Sequence, residues 1–547
     1  MANIKINKKI FEKEIGELDE KMQERITLFG TPVESVDEEN LELEIFPNRP
    51  DLLSYQGFKR SFLAFLGKKN SVGLKDYKLN KPLKDYKVIV EGSVESVRPF
   101  TACAIVKNIK LDDEKIKEII NIQEKLHFTV GRKRKKLAIG IYPLEKIKLP
   151  ITYKALEPDK IKFIPLESDR EMSGLQILQR HSAGRDYAHL LAGKQKFPIF
   201  VDNDNNILSM PPIINSHLTG KITESTTDIF IECSGFDFEI LKKALNIIIT
   251  TFLDMNSEVY QMTLQYKNKN NITPDLKPDK MKINLNNVNK LLGLNLNEKQ
   301  LKTFLERMGY SYSNKTAIVP AWRTDILHEV DLIEDVAIAY GYENFIPEIP
   351  SVSTIGEEDM KETKKRKIAE ILANVGLLEV SNFHLTKKED QFAKMNLNEK
   401  ESKLVEVEES KTDYTILRQN LSHYLLKILS ENVDAEYPQR IFEIGTVFSN
   451  KSDQIEEKEN LALALTPGNF TDIKQILEYM FKMIDAEIEL KEPLNVNKCF
   501  IEGRAAEIVL KDTKKVIGQI GEIHPRILRN WRLKMPVGIF EINLGEK

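Results

Sequence analysis

Residues 320–335 read PAWRTDILHEVDLIED, a stretch in which a tryptophan turn leads into a predicted helix with an acidic face. Asp331, Glu334 and Asp335 stand at positions i, i+3 and i+4, so a helix places them on one side. Asp325 lies upstream, where the chain can fold back onto the helix start. Four carboxylates suit a hard ion, magnesium before zinc or copper. Alternatively, acids gather in a first helical turn because the helix dipole favours them there, and the spacing alone favours this alternative.

The acidic stretch belongs to a predicted small domain over residues 273–350. Its pattern predicts a strand, helices over residues 288–292 and 298–308, a second strand, and a final helix over residues 331–340. The segment KNKNNITPDLKPDK, which leads into this domain, is rich in Lys, Asn and Pro. Such a composition is typical of a linker, so it marks the clearest domain boundary of the chain.

Residues 1–88 are predicted to form an N-terminal α/β domain. Within it, residues 41–45 alternate as LELEI, which is typical of a half-buried strand. The turn NRPD follows at residues 48–51, and Asp51 is a suitable N-cap for a helix over residues 52–66. The sequence therefore predicts a strand, a tight turn and a helix in this order.

Residues 89–268 are predicted to form a larger α/β domain. The predicted strands cover residues 88–91, 101–106, 137–141 and 199–201, and the predicted helices cover residues 113–127 and 238–252. The turn DNDNN at residues 202–206 separates two apolar runs, which predicts a β-hairpin.

Residues 357–547 are predicted to form an α+β domain that opens with a basic amphipathic helix. Alternating apolar residues predict strands over residues 440–448, 502–510 and 516–520. We expect an antiparallel sheet with helices packed on one of its faces. The fold class of the whole chain is thus a multidomain mixture of α/β and α+β.

Composition restricts the class of protein without identifying it. The 547 residues are 41% hydrophobic and 30% charged, and 80 basic against 83 acidic residues leave a net charge of −3. The sequence has no apolar run near the roughly 20 residues that span a bilayer, and its first residues lack an apolar signal core. Three cysteines, far apart, fit a reducing compartment. We therefore expect a cytoplasmic, soluble protein with no membrane partner.

A second group of polar residues predicts a small ligand pocket. The stretch SMPPIINS at residues 209–216 has a stiff backbone because of its two prolines, and it carries Ser209 and Asn215. Downstream, Glu232 and Ser234 are two residues apart and lie on one side of a predicted strand. The alternative is that Ser and Asn beside prolines are only turn residues.

His181 and two basic runs carry weaker signals. His181 ends a helix-like segment, where it either caps the helix or contacts a phosphate or ester. The runs RKRKK at residues 132–136 and KKRK at residues 364–367 offer local contacts for RNA phosphate, or are simply exposed loops. The chain contains no GxxxxGK[ST], GxGxxG, HExxH or GxSxG motif, so it shows no ATP site and no activated nucleophile.

Taken in chain order, these segments resemble the beta subunit of phenylalanyl-tRNA synthetases of the shorter archaeal and eukaryotic type. The matching segments are EIFPNRPDLLS at 44–54, GRKRK at 131–135, SMPPIIN at 209–215, residues 322–342, IFEIG at 441–445, GRAA at 503–506 and IGEIHP at 520–525. They span nearly the whole chain. The extra tRNA-binding and anticodon-binding domains of the bacterial form find no room in this sequence.

The resemblance implies an obligate assembly of two alpha and two beta subunits that binds tRNA(Phe). ATP-dependent attachment of phenylalanine is then carried out on the alpha subunit. Residues 357–547 resemble a degenerate class II synthetase domain, and residues 89–268 resemble the editing module that hydrolyses tyrosine wrongly attached to this tRNA.

The resemblance also assigns site residues. It implies an editing pocket lined by Ser209, Asn215, Glu232, Ser234 and His181. Residues 273–350 resemble a small DNA-binding-like domain whose carboxylates bind Mg²⁺, and this likeness favours magnesium over the helix-start explanation. The matching carboxylates are Asp325, Asp331, Glu334 and Asp335.

Three classes of function remain open at this point. The chain is a synthetase subunit that edits, an editing-inactive subunit that serves as a scaffold and binds tRNA, or a stand-alone RNA-binding or trans-editing protein. A neighbouring alpha-subunit gene separates the third class from the first two. A hydrolysis assay on mischarged tRNA separates the first class from the second.

The absence of any ATP-binding motif predicts that the isolated chain does not activate phenylalanine. Purified alone, it should show no phenylalanine-dependent pyrophosphate exchange, whereas the chain co-expressed with an alpha subunit should show it. Clear exchange by the isolated chain would contradict the prediction.

Overall fold

The computed structural model describes residues 2–350, 355–399, 403–451, 454–493 and 497–545. The chain forms two compact units, Met1–Glu348 and Ile349–Lys547. One hydrophobic core extends through the first unit from Ile4 to Ala339, and a second core lies within the same unit. The finer boundaries at residues 88, 268 and 273 remain predictions. No helix in the described ranges is long and apolar enough to cross a membrane.

The first unit begins with a three-stranded antiparallel sheet of order β1-β3-β2. Its elements are β1 (Ala2–Asn7), α1 (Lys8–Glu14), α2 (Glu20–Leu28), β2 (Val33–Val36), β3 (Asn40–Ile45) and α3 (Tyr55–Phe65). Leu41, Leu43 and Ile45 alternate into the core, which confirms the predicted strand.

The predicted N-cap at Asp51 is wrong. Asp51 is buried and forms a two-pronged ion pair with Arg49, with both N–O distances at 2.9 Å. Helix α3 begins one turn later, where the Ser54 side chain accepts from the N–H of Gly57. The carboxylate of Asp51 is used inside the turn because the buried guanidinium needs a partner more than the helix start does.

The largest sheet has ten strands, nine of them in the order β12-β11-β10-β7-β4-β14-β5-β13-β6 and the tenth, β15, beside β14. The strands are β4 (Lys87–Val90), β5 (Phe100–Lys107), β6 (Leu137–Pro143), β7 (Ile151–Leu156), β10 (Phe197–Val201), β11 (Ile207–Met210), β12 (Ile214–Asn215), β13 (Ile229–Gly235), β14 (Glu258–Gln265) and β15 (Asn270–Thr273), with β8 (Lys162–Phe163) and β9 (Met172–Ser173) forming a separate pair. The helices are α4 (Asp113–Phe128), α5 (Gly174–Arg180), α6 (Ser182–Tyr187) and α7 (Phe238–Asp254). The predicted hairpin is confirmed by the antiparallel pairing of β10 with β11.

Strand β13 separates two cores. Ile229, Ile231 and Cys233 belong to the core that contains α7, whereas Phe230 belongs to a second core on the other face of the sheet. This alternation follows from the two-residue period of a strand. The two end strands of the sheet meet, because the Tyr142 hydroxyl on β6 donates to the side chain of Asn215 on β12. The sheet therefore curls around the second core.

The last part of the first unit has a three-stranded antiparallel sheet of order β16-β18-β17. Its elements are β16 (Asp279–Lys282), α8 (Leu285–Leu292), α9 (Glu298–Arg307), β17 (Ser311–Ser313), β18 (Thr316–Val319) and α10 (Glu329–Tyr340). Arg307 donates to the carbonyl of Phe65 and to the carbonyl of Ala339, so it joins this part to α3.

The second unit is built on a seven-stranded sheet of order β19-β22-β23-β27-β26-β25-β24, in which only β19 and β22 are parallel. Its elements are α11 (Met360–Asn374), β19 (Leu378–Glu379), β20 (Leu385–Thr386), β21 (Ile416–Leu417), α12 (Ser422–Glu431), β22 (Gln439–Lys451), β23 (Gln454–Thr466), α13 (Phe470–Met483), β24 (Ile488–Lys491), β25 (Phe500–Leu510), β26 (Val516–Ile523), α14 (Pro525–Asn530) and β27 (Gly538–Asn543).

Helices cover both faces of this sheet, so the predicted one-sided packing is wrong. Helices α11 and α13 share a core with Leu461 and Leu463, whereas α12 and α14 share a core with Ala462 and Ala464. Residues 461–465 read LALAL, so both faces of β23 are apolar and both are buried under helices.

Candidate functional site

Three of the predicted pocket residues meet around Tyr142 inside the curled sheet. Its hydroxyl lies 3.2 Å from Oε1 of Glu232 and 3.3 Å from Oδ1 of Asn215 and donates toward them. Ser209 pairs with Asn215 across strands β11 and β12. We name Tyr142, Ser209, Asn215 and Glu232 the Tyr142 cluster. The sequence did not point to Tyr142.

A glycine makes room for this cluster. Gly140 lies directly opposite Glu232 in the pairing of β6 with β13. A Cβ atom at Gly140 would stand 2.0 Å from the Tyr142 hydroxyl oxygen and 2.6 Å from Oε1 of Glu232. Any larger residue would therefore displace one of the two hydrogen-bonding side chains.

Ser234 lies on the same face of β13 but has a different partner. The buried guanidinium of Arg98 donates from Nε to Oγ of Ser234 at 3.3 Å and from Nη2 to its carbonyl at 2.7 Å. Burial lowers the pKa of Arg98 to about 10, so this side chain is still charged at neutral pH. Its charge acts on Glu232, although the two side chains form no ion pair in the described part of the chain.

The electrostatics of the cluster are set by its burial. Glu232 is 2% exposed, and burial raises its pKa to about 8, while Arg98 and the hydrogen bond from Tyr142 act in the opposite direction. The carboxyl group is therefore mostly protonated at neutral pH. Oε2 of Glu232 and Oγ of Ser209 are buried and have no partner at full hydrogen-bond geometry among the described residues. The hydroxyl of Ser234 still lies close enough to lower the pKa of Glu232, and that of Ser209 close enough to lower the pKa of Tyr142, which burial raises. Unsatisfied buried oxygens of this kind suit a ligand that donates hydrogen bonds.

His181 lies outside the Tyr142 cluster. Its Nε2 contacts the carbonyl oxygen of Leu166 at 3.0 Å, and the N–H of Leu166 donates to the carbonyl of Asn215. His181 is thus connected to the cluster only through backbone, at the junction of α5 and α6.

The predicted magnesium ligands are divided among different partners. Arg323 binds Asp325 through two contacts of 2.9 and 2.7 Å, and it binds Asp335 at 2.7 Å. Tyr310 also donates to Asp335. Burial raises the pKa of Asp325, but the charge of Arg323 outweighs it and holds this pKa below its usual value.

The other two carboxylates face elsewhere. Asp331 accepts from the N–H groups of Leu327 and His328 at 2.7 Å each, which caps helix α10. Glu334 is exposed and forms no ion pair within the described ranges. In those ranges no three His, Cys, Asp or Glu side chains are placed to hold a metal ion. The four carboxylates in this arrangement do not fit one magnesium site, and such a site stays a prediction.

Two family models match the chain. The model described as tRNA synthetase B5 domain matches residues 281–342. The model described as phenylalanyl tRNA synthetase beta chain CLM domain matches residues 346–544. Together they cover the acidic helix of the first unit and nearly all of the second.

The chain is also similar to whole proteins and to one solved structure. It is 40% identical over 507 residues to the phenylalanine–tRNA ligase beta subunit of Thermococcus sibiricus, covering 91% of this chain and 89% of that protein. The beta subunit of Archaeoglobus fulgidus is 37% identical over 542 residues, covering 98% and 96%.

A crystal structure of an N-terminal fragment of the phenylalanyl-tRNA synthetase beta subunit from Pyrococcus horikoshii superposes with a TM-score of 0.59 at 36% identity, covering 62% of this chain and 99% of the fragment. Since both relatives align over most of their length and of this chain, the chain belongs to the family of phenylalanine–tRNA ligase beta subunits.

Proposed function

We propose that this chain works with an alpha subunit in a phenylalanine–tRNA ligase, binds tRNA(Phe), and hydrolyses tyrosine wrongly attached to it. Membership of the family makes the chain part of an aminoacyl-tRNA synthetase, a ligase of protein biosynthesis. The alpha subunit then carries out the ATP-dependent attachment, in an assembly of two alpha and two beta subunits. The observation that supports editing is the Tyr142 cluster, with its two unsatisfied buried oxygens.

The cluster suits recognition of a phenolic hydroxyl. An apolar pocket rejects an added hydroxyl poorly, whereas a site with hydrogen-bonding groups distinguishes side chains by the bonds they make. Tyr142 stacks on Phe230 with ring centroids 5.8 Å apart, so the polar atoms lie in apolar surroundings. A phenol that enters there accepts a hydrogen bond from the protonated Oε2 of Glu232 or donates its own hydrogen to Oγ of Ser209.

Hydrolysis at this site does not require a nucleophile from the protein. The ring nitrogen Nε2 of His181 is held at the Leu166 carbonyl, away from the cluster. Water attacks the ester carbonyl, the bond to the ribose oxygen breaks, and that oxygen leaves with a proton as the tRNA hydroxyl. The role of this chain is to orient the ester, which alone accelerates such a reaction strongly.

For the acidic residues, we propose a structural role for Asp325 and Asp335 through Arg323. Both carboxylates are largely buried, and Arg323 has only 2% of its side chain exposed. A buried guanidinium without its partners is costly, by about 3–5 kcal/mol. The exposed Glu334 and the adjacent Asp331 are the residues on which a magnesium ion near this helix would have to depend.

Replacement of Glu232 tests the editing proposal. Glu232→Ala removes a neutral hydrogen-bonding partner of the bound substrate, which costs about 0.5–1.5 kcal/mol, or about twofold to tenfold in rate. In the complex with the alpha subunit, hydrolysis of tyrosyl-tRNA(Phe) should slow by that factor, while charging with phenylalanine stays near normal. Glu258→Ala, at an exposed glutamate of β14, is the control and should leave both rates unchanged. Wild-type hydrolysis by Glu232→Ala would contradict the proposal.

The raised pKa of Glu232 predicts a pH dependence of stability. Its folded pKa of about 8 lies above the ordinary value of 4.5, so the folded state binds the proton more tightly. The stability from this group is therefore complete below pH 4.5 and is lost as the pH rises toward 8, with a slope approaching about 1.4 kcal/mol per pH unit. Between pH 5 and about 8, the unfolding temperature of the wild type should fall relative to that of Glu232→Gln. Parallel curves for the two proteins would show that the carboxyl titrates normally.

The effect of Mg²⁺ on stability distinguishes the structural role proposed for Asp335 from metal binding by Asp331 and Glu334. Asp335→Asn should lower the unfolding temperature by the same amount with and without Mg²⁺, because its partner is Arg323. Asp331→Ala combined with Glu334→Ala should lower stability by about 0.5–2 kcal/mol, because Asp331 caps α10, and should remove any stabilisation by Mg²⁺ that the wild type shows. If Mg²⁺ restored the stability of Asp335→Asn, or if it stabilised the double variant as it does the wild type, the assignment would be wrong.

A further inference from the structure

The run GRKRKK at residues 131–136, which we name the basic loop, has an unusual backbone. Arg132, Lys133 and Arg134 have positive φ angles of 47°, 54° and 65°. Side-chain-bearing residues rarely adopt this left-handed region, at a cost of about 1–2 kcal/mol each. Gly131 has no room for a side chain, because a Cβ atom there would lie 2.5 Å from the carbonyl oxygen of His127. The conformation of the loop is thus specific.

Contacts within the first unit hold the loop in this shape. The N–H of Lys133 donates to the carbonyl of Phe128, and the N–H of Arg134 donates to the carbonyl of His127. The Arg134 side chain donates to the carbonyl of Ile213 at 2.9 Å and to the carboxylate of Glu124 at 3.0 Å. The loop is therefore a fixed platform that presents its other side chains to solvent.

Those other side chains are cations without acidic partners. Arg132, Lys133 and Lys135 are exposed, and none of them forms an ion pair with any carboxylate that the structure describes. The chain as a whole is slightly acidic, so such a group of unpaired cations is a local positive patch. A patch of this kind attracts phosphate groups.

A cavity of about 340 Å³ lies beside the patch. Its walls include two aromatic rings, two lysines, an amide and a carboxylate, contributed by Phe128, Tyr187, Lys125, Lys133, Asn121 and Glu124. Phe128 is 57% exposed, and Arg134 lies 4.4 Å from the ring of Tyr187. The carboxylate of Glu124 accepts a hydrogen bond from His127 and forms an ion pair with Arg134, and these two partners lower its pKa to about 2. An aromatic, positively charged cavity of this size suits a nucleobase with its phosphate.

The basic loop is also connected to the editing residues. Nη2 of Arg98 lies 3.5 Å from the carbonyl oxygen of Arg134 and 2.7 Å from that of Ser234. One buried side chain thus joins the loop to the strand that carries Glu232.

We propose that this cavity and the basic loop bind the single-stranded 3′ end of the tRNA, with one base against Phe128 and Tyr187. The neighbouring phosphates then contact Arg132, Lys133 and Lys135. The cavity alone would also suit a free nucleotide. Arg132 and Lys135, however, lie outside the cavity lining, so the positive patch is larger than a single phosphate needs. This assignment rests on the proposed function, because it names the part of the tRNA that the editing domain holds.

Binding of a short RNA to the full-length chain tests the proposal. The probe is a fluorescently labelled single-stranded ACCA tetranucleotide, followed by anisotropy over a range of salt concentrations. Arg132→Ala combined with Lys135→Ala should weaken binding at least tenfold and should reduce the salt slope by about 0.7 for each lost phosphate contact. Phe128→Ala should weaken binding about tenfold and leave the salt slope unchanged, because it removes stacking alone.

Controls separate this proposal from folding defects and from the editing proposal. Lys117→Ala is the control. Lys117 is an exposed lysine of α4, the helix that carries Phe128, and it already pairs with Asp113, so this variant should bind the RNA like the wild type. All variants should keep the wild-type unfolding temperature. The RNA carries no amino acid, so wild-type tyrosine hydrolysis by Glu232→Ala together with intact RNA binding would count against the editing proposal alone. Wild-type binding by the loop variants, or cytidine monophosphate that competes as well as the tetranucleotide, would overturn the inference.

Discussion

The first unit depends on the closure of its ten-stranded sheet. The edge strands β6 and β12 meet through side chains, since Tyr142 reaches Asn215 and Arg134 reaches the carbonyl of Ile213. An open edge and an open sheet face would leave Glu232 in water, where a carboxyl group has its ordinary pKa. Closure instead buries Glu232 in an apolar core, and this burial is what raises its pKa. The chemistry of the candidate site is therefore a consequence of how far the sheet curls.

Two buried guanidinium groups elsewhere are paired with carboxylates, whereas the buried carboxyl of Glu232 is not. Arg323 is held between two carboxylates, and in the second unit the fully buried Arg418 donates to Glu443 at 2.6 Å. Such pairs avoid the large cost of an isolated ion in a medium of low polarity. Glu232 has no ion pair in the described ranges, and one of its oxygens has no partner there. A buried carboxyl with a shifted pKa and no ion pair is a candidate for ligand binding.

The sequence predicted local elements well and their partners poorly. The strand at residues 41–45, the hairpin after β10 and the shared face of Glu232 and Ser234 follow from period-two patterns, and the structure has all three. Asp51 was assigned to a helix start because nothing local shows that Arg49 is buried. Tyr142 and Gly140 were missed for a similar reason. They lie about 90 residues before Glu232, and only the register of β6 against β13 brings them together. A constraint that acts across strands leaves no spacing signal in one sequence.

If the chain edits as proposed, the arrangement of the Tyr142 cluster gives a physical reason why the correct product would be spared. A phenylalanine ring that enters the cluster covers two oxygens without satisfying them, and each buried polar atom left unpaired costs about 1–3 kcal/mol. A tyrosine ring of the same shape donates one hydrogen bond and removes part of that cost. The neutral carboxyl of Glu232 is suited to this choice, because a fully ionised group would demand a cation and would bind either amino acid through its ammonium group. In the proposed editing reaction, selection of the side chain thus depends on keeping Glu232 buried, protonated and one hydrogen bond short.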